Sequence, residues 1–124
     1  MKKIVLVVLV LLIYIPMVNA KTYTKTQCKN YAYKQVIKKG WTSSDYNNLV
    51  KLWNKESGWN ARAYNKSSGA CGIAQALPCK KMRSYGKDYK TNCKTQIRWG
   101  LDYIKKRYKT PTRAWNHWKT KRWY

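Results

Sequence analysis

Hydrophobic residues recur every three or four positions along most of the chain, the spacing of helices that bury one face. Together with the capping residues, this pattern predicts five helices, at 25–38, 44–57, 76–85, 93–108 and 111–119. The segment 65–75 is rich in glycine and polar residues, which predicts a loop or a small β-hairpin. Because neither a repeat nor a long linker interrupts residues 21–124, we expect one small, mainly α domain there.

The first twenty residues have the pattern of a secretory signal peptide. Lys2 and Lys3 precede an apolar run, and residues 17–20 end in small side chains. The apolar stretch of about 15 residues is shorter than the ~20 that a bilayer span needs, although a retained anchor is the alternative. We therefore expect residues 1–20 to be removed and the remainder to be secreted or periplasmic and associated with the cell wall.

One residue stands out chemically. The chain has 27 lysines and arginines against 4 acidic residues, and its single glutamate, Glu56, falls on the apolar stripe of the second predicted helix beside Leu52 and Trp53. Burial and the negative end of the helix dipole both favour the neutral carboxyl, so we expect a raised pKa and a catalytic acid. From the helix alone, a half-exposed ion pair with Lys55 or Arg62 is the alternative.

Downstream of this glutamate, short motifs follow in a characteristic order: Glu56-Ser57, Gly72-Ile73-Ala74-Gln75, Thr95-Gln96-Ile97 with Gly100-Leu101, and Ala114-Trp115-Asn116. This succession resembles the lytic transglycosylase and goose-type lysozyme family over about residues 41–124, and most closely a compact secreted branch that ends in Trp-Tyr. The resemblance implies a lysozyme-like fold with the loop or hairpin beside a sugar-binding cleft, and Glu56 as the acid/base. It also implies a substrate contact at Gln75. The further candidate substrate contacts are Ser57, Tyr103, Trp115 and Asn116.

Three positions depart from the family pattern. Ala74 stands where Met or Pro is frequent, and Ala61 where Pro commonly follows Asn. Trp115 replaces a tyrosine whose hydroxyl in relatives helps to orient the acid or the sugar. The first two departures should affect only local rigidity, whereas the third removes a hydroxyl and so affects the details of catalysis.

Most glycoside hydrolases use two carboxylates. Asp45 is expected to begin the second helix, Asp88 to lie in a polar turn and Asp102 to lie on a solvated helix face, so no convincing partner for Glu56 is found. By resemblance, a lytic transglycosylase needs only one Glu, because the sugar's own C6 hydroxyl attacks and gives a 1,6-anhydro product. We therefore expect a lytic transglycosylase that cuts the MurNAc-GlcNAc β-1,4 bond without a cofactor, with a hydrolytic lysozyme as the alternative.

The four cysteines all follow residue 20, which predicts up to two disulfides in an exported protein. We expect Cys79 to pair with Cys93 and Cys28 with Cys71. The spacings lack the Cys-x-x-Cys pairs of zinc sites, so no metal is expected. A hydrolase built on Cys71 and His117 is a weaker interpretation.

Removing residues 1–20 takes away two lysines and leaves 25 basic residues against 4 acidic ones. Such a charge predicts anionic partners, here peptidoglycan glycan strands and anionic cell-wall polymers, bound by a monomer. A non-catalytic cationic protein that binds the wall or nucleic acid is the alternative. Because the sequence contains no nucleic-acid-binding motif, we do not expect nucleic acid as a partner. Of the aromatic residues, Trp59, Tyr103, Trp115 and Trp118 are candidate cleft walls, with core packing as the default.

Overall fold

The computed structural model describes residues 22–124, so the predicted signal peptide lies outside the described residues. Within them the chain forms four α-helices and one 3₁₀ helix: α1 (Lys25–Lys38), α2 (Ser43–Ser57), the 3₁₀ helix (Cys79–Tyr85), α3 (Cys93–Tyr108) and α4 (Pro111–Lys121). The prediction of a small, mainly α domain is confirmed. In the described part of the chain, no helix combines the length and apolarity that crossing a membrane requires.

Side-chain caps fix where the first two helices begin. The Thr24 hydroxyl accepts from the Gln27 backbone N–H, and the Gln27 side chain accepts from the Thr24 N–H. Thr42 and Asp45 form the same reciprocal capping box at the start of α2, as expected for Asp45. The second Asp45 oxygen accepts from the Thr112 hydroxyl at 2.6 Å, which ties the start of α2 to the start of α4.

The third predicted helix differs from the observed element. Residues 76–78 are not helical, and a 3₁₀ helix begins only at Cys79. Pro78 explains this, because its ring disfavours helical geometry at the preceding residue. Ala76 instead forms an isolated antiparallel bridge with Cys71, which also bridges Tyr64. This is the small hairpin-like loop that the glycine-rich segment predicts.

The core lies between α2 and α3, whose side chains meet there, and α1 and α4 pack against both helices. Its fully buried members include the apolar stripes Leu49, Leu52 and Trp53 of α2 and Ile97, Leu101 and Ile104 of α3. Gly100 makes this packing possible, since a Cβ at that position would lie 2.6 Å from the Trp53 ring. The α2 stripe thus has the buried face that the sequence pattern indicates.

Two disulfides form, as expected, but the predicted pairing is wrong. Cys28 pairs with Cys93, with a Cα–Cα distance of 5.9 Å, and Cys71 pairs with Cys79 at 5.4 Å. The first joins α1 to the first turn of α3, two helices that pack together. The second closes the short loop 71–79. Which cysteines meet depends on helix packing, which the spacing along the chain does not reveal.

Candidate active site

Glu56 lies in the last turn of α2, just before Gly58, whose left-handed φ of 61° ends the helix. Burial raises the pKa of the Glu56 carboxyl, as the sequence predicts, while a hydrogen bond with the Trp118 side chain acts in the opposite direction. The expected alternative, an ion pair with Lys55 or Arg62, does not form. Within residues 22–124 the single ion pair joins Lys39 and Asp102.

The Tyr124 side chain connects α2 to the segment that contains Ala74. Its hydroxyl accepts from the Trp53 indole N–H at 2.8 Å and donates to the Ala74 carbonyl at 2.7 Å. Burial raises the pKa of Tyr124 well above its usual value, and the Glu56 charge raises it further, so the phenol lies within the electrostatic reach of the carboxyl. The sequence interpretation noted Tyr124 only as part of the Trp-Tyr ending and assigned it no role.

Gln75 is held in a rigid turn, the Gln75 loop (residues 72–75). Gln75 has φ 55°, and its side-chain amide donates to the Gly72 carbonyl at 2.9 Å. The Ser57 hydroxyl donates to the Ile73 carbonyl at 2.7 Å, and the buried Gln96 side chain accepts from the Ile73 N–H at 2.9 Å. Ser57 and Gln96 therefore fasten this loop to α2 and α3.

A cavity of about 230 Å³, the Gln75 cleft, opens between this loop, α3 and the C-terminal residues. The α3 side chains Trp99 and Tyr103 line it as a stacked pair, with ring centroids 5.2 Å apart. The full lining comprises Ala74, Gln75, Leu77, Lys81, Trp99, Tyr103, Arg107, Trp123 and Tyr124. The structure thus brings Gln75 and Tyr103 together, and it adds the cations Lys81 and Arg107, which the sequence interpretation missed. Their exposed positions on the 3₁₀ helix and α3 carry no distinguishing sequence signal.

The α4 residues Trp115 and Asn116 do not line this cavity. Trp115 stacks on Trp118 with centroids 5.5 Å apart, and Asn116 is exposed on the helix. Through Trp118 the stacked pair adjoins Glu56. Trp59, another candidate cleft wall, is 1 % exposed and its indole donates to the Val50 carbonyl, so it belongs to the core.

The three aspartates are engaged with other residues. Asp102 is expected on a solvated face, and its side chain is 37 % exposed and forms the ion pair with Lys39. No three His, Cys, Asp or Glu side chains of residues 22–124 cluster as metal ligands would. Each aspartate has two hydrogen-bonding partners: Thr42 and Thr112 for Asp45, Asn92 and Thr95 for Asp88, and Lys39 and Tyr85 for Asp102.

One known protein family matches the chain. The family model of the Transglycosylase SLT domain matches residues 35–120, which include Glu56, the Gln75 loop, α3 and nearly all of α4. No curated protein and no solved structure matches the chain. Since the match covers more than half of the chain, the protein belongs to the transglycosylase SLT domain family, which acts on peptidoglycan.

Proposed function

We propose that the protein is a secreted lytic transglycosylase that cuts the MurNAc-GlcNAc β-1,4 bond of peptidoglycan with Glu56 as its single acid/base. The observation that carries this proposal is the contrast among the carboxyls. Burial raises the pKa of Glu56. Hydrogen bonds from Asn92 and Thr95 lower the pKa of Asp88, and the other two aspartates are likewise held by neighbouring side chains. Only Glu56 is suited to keep a proton for a leaving group.

In the first step, protonated Glu56 donates its proton to the bridging glycosidic oxygen as the bond to the sugar C1 breaks. The positive charge that develops at C1 is stabilised by the N-acetyl group of the same sugar. The Trp118 hydrogen bond then favours the carboxylate that Glu56 becomes, because it lowers the energy of the charged form.

In the second step, the Glu56 carboxylate removes the proton from the C6 hydroxyl of the same sugar as that oxygen bonds to C1. The product is a 1,6-anhydro sugar, and Glu56 is protonated again. Gln75 and Tyr103 would hold the glycan at the Gln75 cleft, since both line it and both are fixed by neighbouring groups. The Tyr124 hydroxyl bonds to Trp53 of α2 and to the Ala74 carbonyl of the loop, and the Tyr124 ring contacts Tyr103 of α3.

We also propose that the protein works outside the cytoplasm as a monomer. The signal-peptide pattern of residues 1–20 and two disulfides support export. The residues after position 20 include 25 basic against 4 acidic ones, which favours accumulation on anionic wall polymers.

The mass of the products tests the reaction. Purified protein incubated with peptidoglycan should release anhydro-muropeptides, which are lighter by one water than the products of hydrolysis. Reducing muramic acid ends alone would replace the transglycosylase with a hydrolytic lysozyme on the same fold.

A substitution tests the role of Glu56. Glu56→Gln keeps the size and most hydrogen bonds of the side chain but removes the transferable proton, so the initial rate should fall at least ~100-fold. Asp102→Asn is the matched control, because it makes the same carboxylate-to-amide change and should keep most of the activity. A near-normal rate for Glu56→Gln would end the catalytic assignment.

A further inference from the structure

A second cavity of the described residues is separate from the Gln75 cleft. Its volume is about 600 Å³, within the range of ligand-binding pockets, and we call it the loop groove. Its lining includes Arg62, Tyr64, Lys80, Tyr89 and Lys90. The loop groove and the Gln75 cleft touch different residues of the loop 71–79 and share no lining residue. A ligand in the groove would therefore leave the cleft open.

The charges of the loop groove are all of one sign. Arg62, Lys80 and Lys90 are exposed, and the lining contains no acidic residue. None of the three forms an ion pair, since the one ion pair within residues 22–124 joins Lys39 and Asp102. Lys90 Nζ lies 6.0 Å from the centre of the Tyr89 ring, so this cation and this ring line the groove side by side. A concave site lined by cations that lack acidic partners concentrates positive potential and attracts anions.

Two tyrosines give the groove flat apolar faces. Tyr64 is 64 % exposed, although its backbone is fixed by a bridge to Cys71. Tyr89 is half-buried, and its carbonyl accepts from the Gln96 side chain at 2.9 Å. The Cys71–Cys79 disulfide also lines the groove. The groove is thus held open by covalent and hydrogen bonds, which reduces the entropy cost of binding.

We propose that the loop groove binds an acidic polysaccharide, a chain whose sugar rings carry carboxylate or phosphate groups. The C–H faces of the rings would lie on Tyr64 and Tyr89, while the acid groups meet Arg62, Lys80 and Lys90. Free anions would need only the cations, and neutral glycans only the tyrosines, whereas this lining offers both. The inference rests on the proposed function only in that such polymers are expected where the enzyme meets the wall.

Such binding would hold the enzyme beside its substrate. Because the groove and the Gln75 cleft share the loop 71–79, a polymer held in the groove keeps the cleft close to the same wall. The second encounter then becomes intramolecular, which raises the effective substrate concentration.

Calorimetry at physiological salt with Glu56→Gln protein tests the proposal, since no probe is then consumed. The probes are oligogalacturonate, which carries a carboxylate on each ring, and a sugar-phosphate polymer. Binding of either one supports the proposal and identifies the acid group. Polyglutamate, neutral oligogalactose and oligothymidylate are the comparison ligands. Failure of both acidic glycans to bind, or equal or tighter binding of any comparison ligand, would overturn it.

Substitutions distinguish binding at the loop groove from attraction to the overall positive charge of the protein. Arg62→Gln, Lys80→Gln and Lys90→Gln together should weaken binding at least ~10-fold. The matched control, Lys105→Gln with Lys106→Gln and Lys109→Gln, removes the same charge from α3 and its C-cap, and should weaken it less than ~3-fold. Equal losses for the two triple variants would contradict the proposal.

Substitution of the two tyrosines tests whether their rings contribute to binding independently of the charge. Tyr64→Ala with Tyr89→Ala keeps every cation and should still weaken binding ~5-fold or more, because the ring faces are lost. Unchanged affinity in this variant would overturn the glycan assignment. The same groove substitutions placed in protein with intact Glu56 should leave the product masses from soluble peptidoglycan fragments unchanged, so failure of the groove and failure of the reaction are observed separately.

Discussion

Glu56 shows how a single residue can trade stability for chemistry. In the unfolded chain its carboxyl is hydrated and has an ordinary pKa, whereas burial in the fold raises that pKa. The native state therefore binds this proton more tightly than the unfolded state does. The resulting stabilisation is complete below the unfolded pKa of ~4.3 and is lost as pH rises through the higher folded pKa.

A prediction about stability follows. Glu56→Gln cannot ionise, so it should unfold at a higher temperature than the unmodified protein near pH 7. The difference should shrink as pH falls towards ~4, where Glu56 is protonated in both states. Melting curves across this range measure it, with Asp102→Asn as the control, since the pKa of Asp102 is lowered and its removal should destabilise. A Glu56→Gln advantage that grows towards acid would mean that the native carboxyl is not buried.

Tyr124 makes a second testable contribution at the residue scale. Tyr124→Phe removes the hydroxyl that satisfies both the Trp53 indole N–H and the Ala74 carbonyl. Leaving buried polar groups without a partner should lower the free energy of unfolding by about 1–3 kcal/mol. Urea unfolding measures the loss, and Tyr33→Phe, at a tyrosine that is 43 % exposed, should change little. If the two substitutions lower the free energy of unfolding equally, the hydrogen bonds of Tyr124 with Trp53 and Ala74 do not stabilise the fold.

At single positions, what the sequence could predict depended on local chemistry. Glu56 could be recognised because it is the only glutamate and lies on an apolar stripe, and both features are visible along the chain. Tyr124 and Lys81 could not, because their importance comes from contacts with Ala74 and with the cleft, across long stretches of sequence. The ion pair of Asp102 with Lys39 could not be predicted for the same reason, since Lys39 lies at the end of α1, far from Asp102 along the chain.

For the helices as for single residues, the sequence predicts the features that depend on neighbouring residues and not those that depend on tertiary packing. The bounds of α1 and α3 equal their predicted ranges, because capping residues such as Thr24 and Asn92 act within one turn. The predicted helix 76–85 begins three residues before the observed one, because Pro78 disfavours helical geometry at the residue that precedes it. The disulfide pairing could not be predicted, because Cys28 of α1 and Cys93 of α3 are brought together only by the packing of the two helices.

The two disulfides should differ in how much they stabilise the fold. Cys28–Cys93 spans 65 residues and Cys71–Cys79 only 8. From the entropy of loop closure, replacing the first pair by serine should cost about 4 kcal/mol and the second about 2.5 kcal/mol. Guanidinium unfolding of the two double variants measures both, each serving as the control for the other. A larger loss from the short loop would show that the Cys71–Cys79 bridge stabilises the fold by more than closing its loop.

The Cys71–Cys79 variant also bears on function. This bridge holds the segment that carries Gln75, whose positive φ is sustained by its neighbours. Its replacement should raise KM for peptidoglycan fragments more than it lowers kcat, because the loop would be free to move while Glu56 keeps its place on α2. Steady-state kinetics measure both constants, and an unchanged KM would show that hydrogen bonds from Ser57 and Gln96 suffice.

The molecule as a whole is dominated by its charge. The formal net charge is +23, and the described residues contain one ion pair, between Lys39 and Asp102. Most cations therefore repel one another without a compensating carboxylate, which destabilises the compact state. The same surplus is what would hold the protein on an anionic wall, so affinity for the wall and stability in dilute buffer are opposed.

This opposition predicts an unusual response to salt. Raising sodium chloride from ~0.01 M to ~0.1 M shortens the Debye length from ~30 Å to ~10 Å and so screens the repulsion among distant cations. The melting temperature should rise by several degrees over this range, while binding of Glu56→Gln protein to isolated cell walls should weaken. Potassium acetate at equal ionic strength is the control, because screening depends on ionic strength and not on which anion is present. A melting temperature that stays constant while wall binding falls would mean that the cations are too far apart to strain the fold, and that the charge acts on partners alone.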